Sequence, residues 1–77
     1  MKVSEEQFDE MKHALGNSHK RSELGWRNYF CTEEGNELWL DLVDKGMAVK
    51  GSANRSDGYT YFHVSDEGIT YVKSILS

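Results

Sequence analysis

Glu37 and Asp41 stand four residues apart, a spacing that places two carboxylates on one face of a helix, and a carboxylate pair is the minimum equipment for general acid–base catalysis. Such a pair needs a pocket and a proton-carrying neighbour, and no histidine lies near it in the chain. His13, His19, His63 and Cys31 are the remaining groups of interest, all of metal-ligand type. Zinc sites use close pairs such as Cys-x2-Cys or His-x3-His, whereas His13 and His19 are six apart around an expected helix end. Cys31, beside Thr32 at an expected helix start, stands where a reactive thiol could sit. A thiol buried next to Phe30 is the plainer expectation. The chain is therefore read as a non-enzyme, with no catalytic residue, metal or cofactor.

The elements that position these groups are written locally. Ser4-Glu5-Glu6-Gln7 is a capping box, with Val3 and Phe8 as its hydrophobic staple. Phe8, Met11 and Leu15 then recur at helical spacing, and Gly16-Asn17 stops the run, which predicts a helix over about 4–15. Residues 17–25 read as a loop. Trp26, Tyr29 and Phe30 read as a short extended piece or single turn anchored in the core. Thr32 is the expected cap of a second helix with Glu33 and Glu34 in its first turn and Gly46 as its stop. On that helix Glu33, Glu34, Glu37, Asp41 and Asp44 share one face, and Leu38, Trp39, Leu40, Leu42 and Val43 fill the rest. Met47–Lys50 and Tyr59–Val64 read as strands joined by the turn-formers of 51–58, a hairpin. If Thr60, Phe62 and Val64 face the core, then Tyr59, Tyr61 and His63 face out. Ser65 caps a last helix carrying Ile69, Val72 and Leu76, with Val64 and Ile69 as a second staple.

Seventy-seven residues leave room for one domain over 1–77 and little surplus stability for a deep cavity. The longest apolar runs are three residues, so neither a membrane span, which needs about 20, nor a signal peptide is expected. A single cysteine fits a reducing, cytoplasmic setting. The net charge is −4 and the pI about 5.2, the wrong sign for a typical polyanion binder. Residues 31–44 carry five carboxylates and no base. The basic residues that could serve a nucleic acid are Lys20, Arg21, Arg27, Lys50 and Arg55.

The strings Leu42-Val43-Asp44-Lys45-Gly46-Met47 and Phe62-His63-Val64-Ser65-Asp66-Glu67-Gly68 resemble the C-terminal half of winged helix-turn-helix domains. In that half an apolar helix ends in "LV-x-x-G-hydrophobic" and a wing leads into a capped helix. The resemblance implies an α+β, winged-helix-like domain in the order helix, short extended segment, helix, β-hairpin (the wing), helix. More loosely, His13-Ala14-Leu15-Gly16, Arg27-Asn28-Tyr29-Phe30 and the Tyr61-to-Gly68 stretch resemble a group of small phage and prophage proteins. That likeness implies action in a host cytoplasm. The chain departs from DNA-reading winged helices at the helix before the wing. The resemblance would make it the recognition helix, yet it shows carboxylates and no arginine, against a duplex with one phosphate charge per roughly 1.7 Å.

The expected function is therefore protein–protein interaction. The partner-facing residues would be Glu33, Glu37, Asp41 and Leu40 on the acidic helix and Tyr59 and Tyr61 on the wing. The alternative is a DNA-binding regulator using Lys20, Arg21, Arg27, Lys50 and Arg55. Plainer readings stand beside both: a solvated acidic face, and tyrosines that merely pack across strands. Trp39 and Leu40 make the second helix apolar over more than half its circumference. Either that helix is central or its surplus is a self-association surface, so a homodimer is compatible with the sequence. Asn54-Arg55-Ser56 fits a glycosylation pattern and is read as an accident.

Overall fold

The Ser4 hydroxyl accepts from the Gln7 N–H at 3.1 Å, the Gln7 side chain accepts from the Ser4 N–H at 2.9 Å, and helix α1 runs Glu5–Ala14 behind this capping box. The computed structural model describes residues 3–17, 20–51 and 57–76. Gln7 does a second job that its place in a cap does not announce. It is buried, and its Nε2 donates to the Leu38 carbonyl at 3.0 Å and to Asp41 Oδ2 at 2.8 Å, which ties α1 to the second helix.

That second helix starts later than the sequence suggests. Phe30–Glu33 is a strand, β1, and α2 runs Glu37–Asp44 with Asn36, not Thr32, as its cap. Asn36 Oδ1 accepts from the N–H groups of Leu38 and Trp39 at 3.0 and 3.3 Å. The Thr32 hydroxyl accepts from Asn36 Nδ2 at 3.0 Å, so it buttresses the cap from outside the helix. The reason is pairing: each β1 residue lies opposite one in a neighbouring strand, and burial alternates along β1. Glu33 and Glu34 thus leave the helix, and its carboxylate face shrinks to Glu37, Asp41 and Asp44. Helix α2 ends as expected at Gly46, at φ 79°, with Met47 N–H bonded to the Leu42 carbonyl and Gly46 N–H to that of Val43.

Strands β2 (Ala48–Lys50) and β3 (Tyr59–Val64) form the expected hairpin, whose tip at 52–56, including Arg55 and Asn54-Arg55-Ser56, lies outside the described residues. Strand β1 pairs antiparallel with the other side of β3, giving the order β1-β3-β2. Where the sequence predicts a short extended segment, the chain adds a third strand. The described residues hold three α-helices and this sheet, a mixed α+β architecture, with a 3₁₀ turn at Arg21–Glu23.

The core sits between the helices and one face of the sheet. Trp39 is fully buried, and its ring stacks on Phe30 (5.2 Å, 28°) and on Phe62 (5.5 Å, 28°), which are themselves cross-strand partners. Its Nε1 donates to Glu10 Oε1 at 2.6 Å, so the buried indole has no orphan donor. Trp39 is covered by this chain itself, and Leu40 packs against the same core. The apolar surplus of α2 is explained by its central position.

Helix α3 (Asp66–Ile75) closes the far end. Ser65 caps it, accepting from Gly68 N–H at 3.1 Å, while the Ser65 hydroxyl donates to the Gly46 carbonyl at 2.6 Å. Gly68 lies so close to the preceding segment that a Cβ there would overlap the Met47 carbonyl oxygen and Val64 Cγ1.

Two stability predictions follow from this packing. Trp39→Ala should lose about 3–5 kcal/mol, roughly half the stability of a chain holding roughly 0.1 kcal/mol per residue. Urea titration followed by circular dichroism would then show a folded variant whose midpoint falls to roughly half the wild-type value. Gly68→Ala should lower stability by about 1–3 kcal/mol through overpacking, even though alanine is the better helix former by about 1 kcal/mol. A neutral or raised melting temperature would show that the Met47 contact yields.

Candidate docking surfaces

The core occupies one face of the sheet, and among the described residues no helix covers the other, where Tyr59, Tyr61 and Val49 are exposed. The burial of β3 alternates from Tyr59 outward to Val64 inward, as its sequence predicts. The register sets Glu33 beside Tyr59, Cys31 beside Tyr61, and Val49 beside His63 on this outer face. Tyr61 is 47% exposed, and Tyr29, just before β1, is 48% exposed. The two rings meet edge to face at 6.0 Å.

The stack continues into the loop. The Arg27 guanidinium lies over the Tyr29 ring at 4.3 Å and within 6.0 Å of the Trp26 ring. Trp26 is 74% exposed, which corrects the expectation that it anchors the loop in the core. Its indole instead lies across Gly16, where a Cβ would overlap Trp26 Nε1. Between these residues Asn28 clamps the strand: its Nδ2 donates to the Val64 carbonyl at 2.8 Å and its Oδ1 accepts from Val64 N–H at 2.7 Å. A side-chain amide thus continues the β1–β3 ladder by one pair. Trp26, Arg27, Tyr29 and Tyr61 form one continuous exposed stack of rings and a planar cation.

The acidic helix makes a second, separate surface. Glu37 and Asp41 line a groove of about 620 Å³ between α2 and the start of α1, with Val3, Glu5, Leu38 and Lys45 among its other walls. Asp41 is occupied within the chain, accepting from Lys45 Nζ at 2.7 Å and from Gln7 Nε2 at 2.8 Å. The hydrogen bond from Lys45, then that from Gln7, holds its carboxyl below the usual aspartate range. The six residues expected to face a protein partner therefore separate. Glu33, Tyr59 and Tyr61 share the outer sheet face, Glu37 and Asp41 line the groove, and Leu40 packs on the core.

The residues expected to face a nucleic acid do not assemble into a described patch. Arg27 belongs to the aromatic stack, Lys50 ends an edge strand, and Lys20 and Arg21 lie at the 3₁₀ turn. Arg55 and His19 lie outside the described residues. Cys31 is exposed on the outer sheet face, which corrects the expectation of a buried thiol and removes it from any helix start. His13 packs edge-on against Phe30 at 5.8 Å. Among the described residues no three His, Cys, Asp or Glu side chains come together as a metal site, and no helix is long and apolar enough to cross a membrane.

The alternation of β3 makes Tyr59 and Tyr61 readable in advance. Trp26, Arg27 and Tyr29 are legible only once β1 is known to be a strand. The chain matches no family model, and neither its sequence nor its structure matches a curated protein or a solved structure.

The Asp41 contacts generate a pH prediction. A carboxyl whose pKa is lower in the folded than in the unfolded chain contributes stability above the unfolded value and loses it as pH falls through the folded value. The stability gap between the wild type and Asp41→Asn should therefore narrow as pH drops from about 5 to about 2. Urea titrations across that range check it, and a gap that widens in acid would show that Asp41 is not held this way.

Proposed function

We propose that the chain is a non-enzymatic binding module that docks a protein partner on the outer face of its sheet. The observation that carries this reading is the run Trp26–Arg27–Tyr29–Tyr61, which extends from Gly16 onto a sheet face that, among the described residues, no helix covers. Trp, Tyr and Arg are the residues that dominate binding energy when buried at protein interfaces. Here they are held in place before any partner arrives, which lowers the entropy lost on ordering them.

The α2 surface contributes less than its sequence suggests, since Asp41 is engaged within the chain. The β2–β3 hairpin followed by a Ser-capped helix supports a winged-helix-like domain in which a third strand stands in for the short extended segment. The looser resemblance of His13–Gly16, Arg27–Phe30 and Tyr61–Gly68 to small phage and prophage proteins adds a phage or prophage origin and action in the host cytoplasm to the proposal.

The rival reading is duplex DNA binding. It is disfavoured because the helix before the wing offers Glu37, Asp41 and Asp44 to the groove, and because Arg27 is already stacked on tyrosine.

Capture from the native host with the immobilised chain, followed by titration of the captured protein, tests the proposal. Tyr61→Glu should weaken binding by at least about tenfold, the effect of a residue worth more than about 1.4 kcal/mol. Glu37→Lys with Asp44→Lys should leave it within about threefold, as expected of charges at the rim. Duplex DNA should bind no tighter than about 10 μM at physiological salt. A sub-micromolar, steeply salt-dependent complex with duplex or single-stranded nucleic acid, or capture indifferent to Tyr61, would overturn the reading.

A further inference from the structure

Resting on the reading of the outer sheet face as a docking surface, we infer that its occupant is a second copy of this chain, packed face to face about a two-fold axis that crosses the strands at the Cys31–Tyr61 row. The argument is one of charge and register. Along the outer face of β1 the chain passes from Arg27, folded over Tyr29, through Cys31 to Glu33. On β3, which runs the other way, His63 stands at the Tyr29 end and Tyr59 beside Glu33. One end of the face is therefore cationic and the other anionic, with the tyrosines between them.

An axis across the strands reverses their direction while keeping each column opposite itself. Tyr29, which carries the Arg27 guanidinium, and Glu33 lie two residues either side of that row, so the axis sets each copy's guanidinium over the partner's Glu33. Tyr61 then meets the partner's Tyr61 on the axis, and His63 meets the partner's Tyr59. The other face-to-face arrangement, with the axis along the strands, gathers both arginines at one end and both glutamates at the other. Charge selects the first. Aligned sheets pack about 10 Å apart with strands within roughly 30° of each other, a gap that interleaved tyrosines fill.

Arg27 has donors to spare for this contact. Among the described residues its guanidinium makes one long hydrogen bond, from Nη2 to the Tyr29 carbonyl at 3.5 Å. A carboxylate opposite would take the fork of N–H groups that planar guanidinium presents. Three short strands make a small face, so the dimer belongs to the weak, reversible class that buries less than about 1,200 Å² in total.

Sedimentation velocity of the purified full chain from about 10 μM to about 1 mM, the range of weak association, is the experiment. The wild type should pass from monomer toward dimer across that range. Arg27→Glu and Glu33→Arg, each checked by thermal melting, should each weaken self-association at least tenfold, because each places like charges together twice. An equimolar mixture of the two variants should associate with wild-type strength, because the mixed dimer has two opposite-charge pairs, one with the native polarity and one reversed. If either charge reversal lowers the melting temperature, Arg27→Gln and Glu33→Gln replace them, with a loss of at least threefold expected from each. A wild type still monomeric at about 1 mM, or a mixture no tighter than its components, would overturn the inference. A monomeric chain that still needs Tyr61 to hold a different protein would overturn the second copy alone. A monomeric chain indifferent to Tyr61 in every complex would overturn the docking face as well.

Discussion

One aromatic ring holds the layers of this protein together. Trp39 projects from α2 onto Phe30 and Phe62, which face each other across β1 and β3, so a single stacked contact fastens a helix to two strands at once. The buried hydrophobic side chains among the described residues gather in one cluster around this contact. The indole N–H would make such a position costly, since a buried donor without an acceptor is unfavourable by about 1–3 kcal/mol. Glu10 supplies the acceptor from α1, which brings the third layer into the same contact.

The stack also explains why the second helix starts where it does. Thr32-Glu33-Glu34 has the composition of a helix start, with a capping hydroxyl and two acids for the first turn. Strand β1 takes Thr32 and Glu33 because Phe30 must reach Trp39 and Phe62, and a strand delivers it. Asn36 then supplies a cap of equal quality, as judged by its two backbone hydrogen bonds. Propensity at Thr32 was real but local, and the tertiary contact that overrode it is spread over residues 30, 39 and 62. Cys31 and Glu33 changed surroundings for the same reason.

Features whose partners lie within a few residues are legible in the sequence. The Ser4–Gln7 box, the Gly46 stop, the β3 alternation and the Ser65 cap all belong to that class. Features that need two distant segments are not. Gln7 reads as a capping residue, and only the fold shows its amide spanning to Leu38 and Asp41. Tyr59 and Tyr61 could be assigned to the outer face from their own strand. The larger part of the exposed stack comes from Trp26, Arg27 and Tyr29, in a segment with no periodicity, and it takes shape only against β3. The acidic stripe shows the reverse: it is legible as composition, but it divides once Glu33 and Glu34 move to the sheet side.

The Asn28 clamp has a consequence for how the sheet finds its alignment. β1 is only four residues long, and a strand so short has few backbone bonds with which to choose its neighbour's offset. An amide that must meet both the N–H and the C=O of Val64 acts as a detent: a slide of one residue carries it about 3.4 Å away and leaves both groups of Val64 unmet. A misaligned β1 is therefore penalised at a single side chain as well as in the aromatic layer.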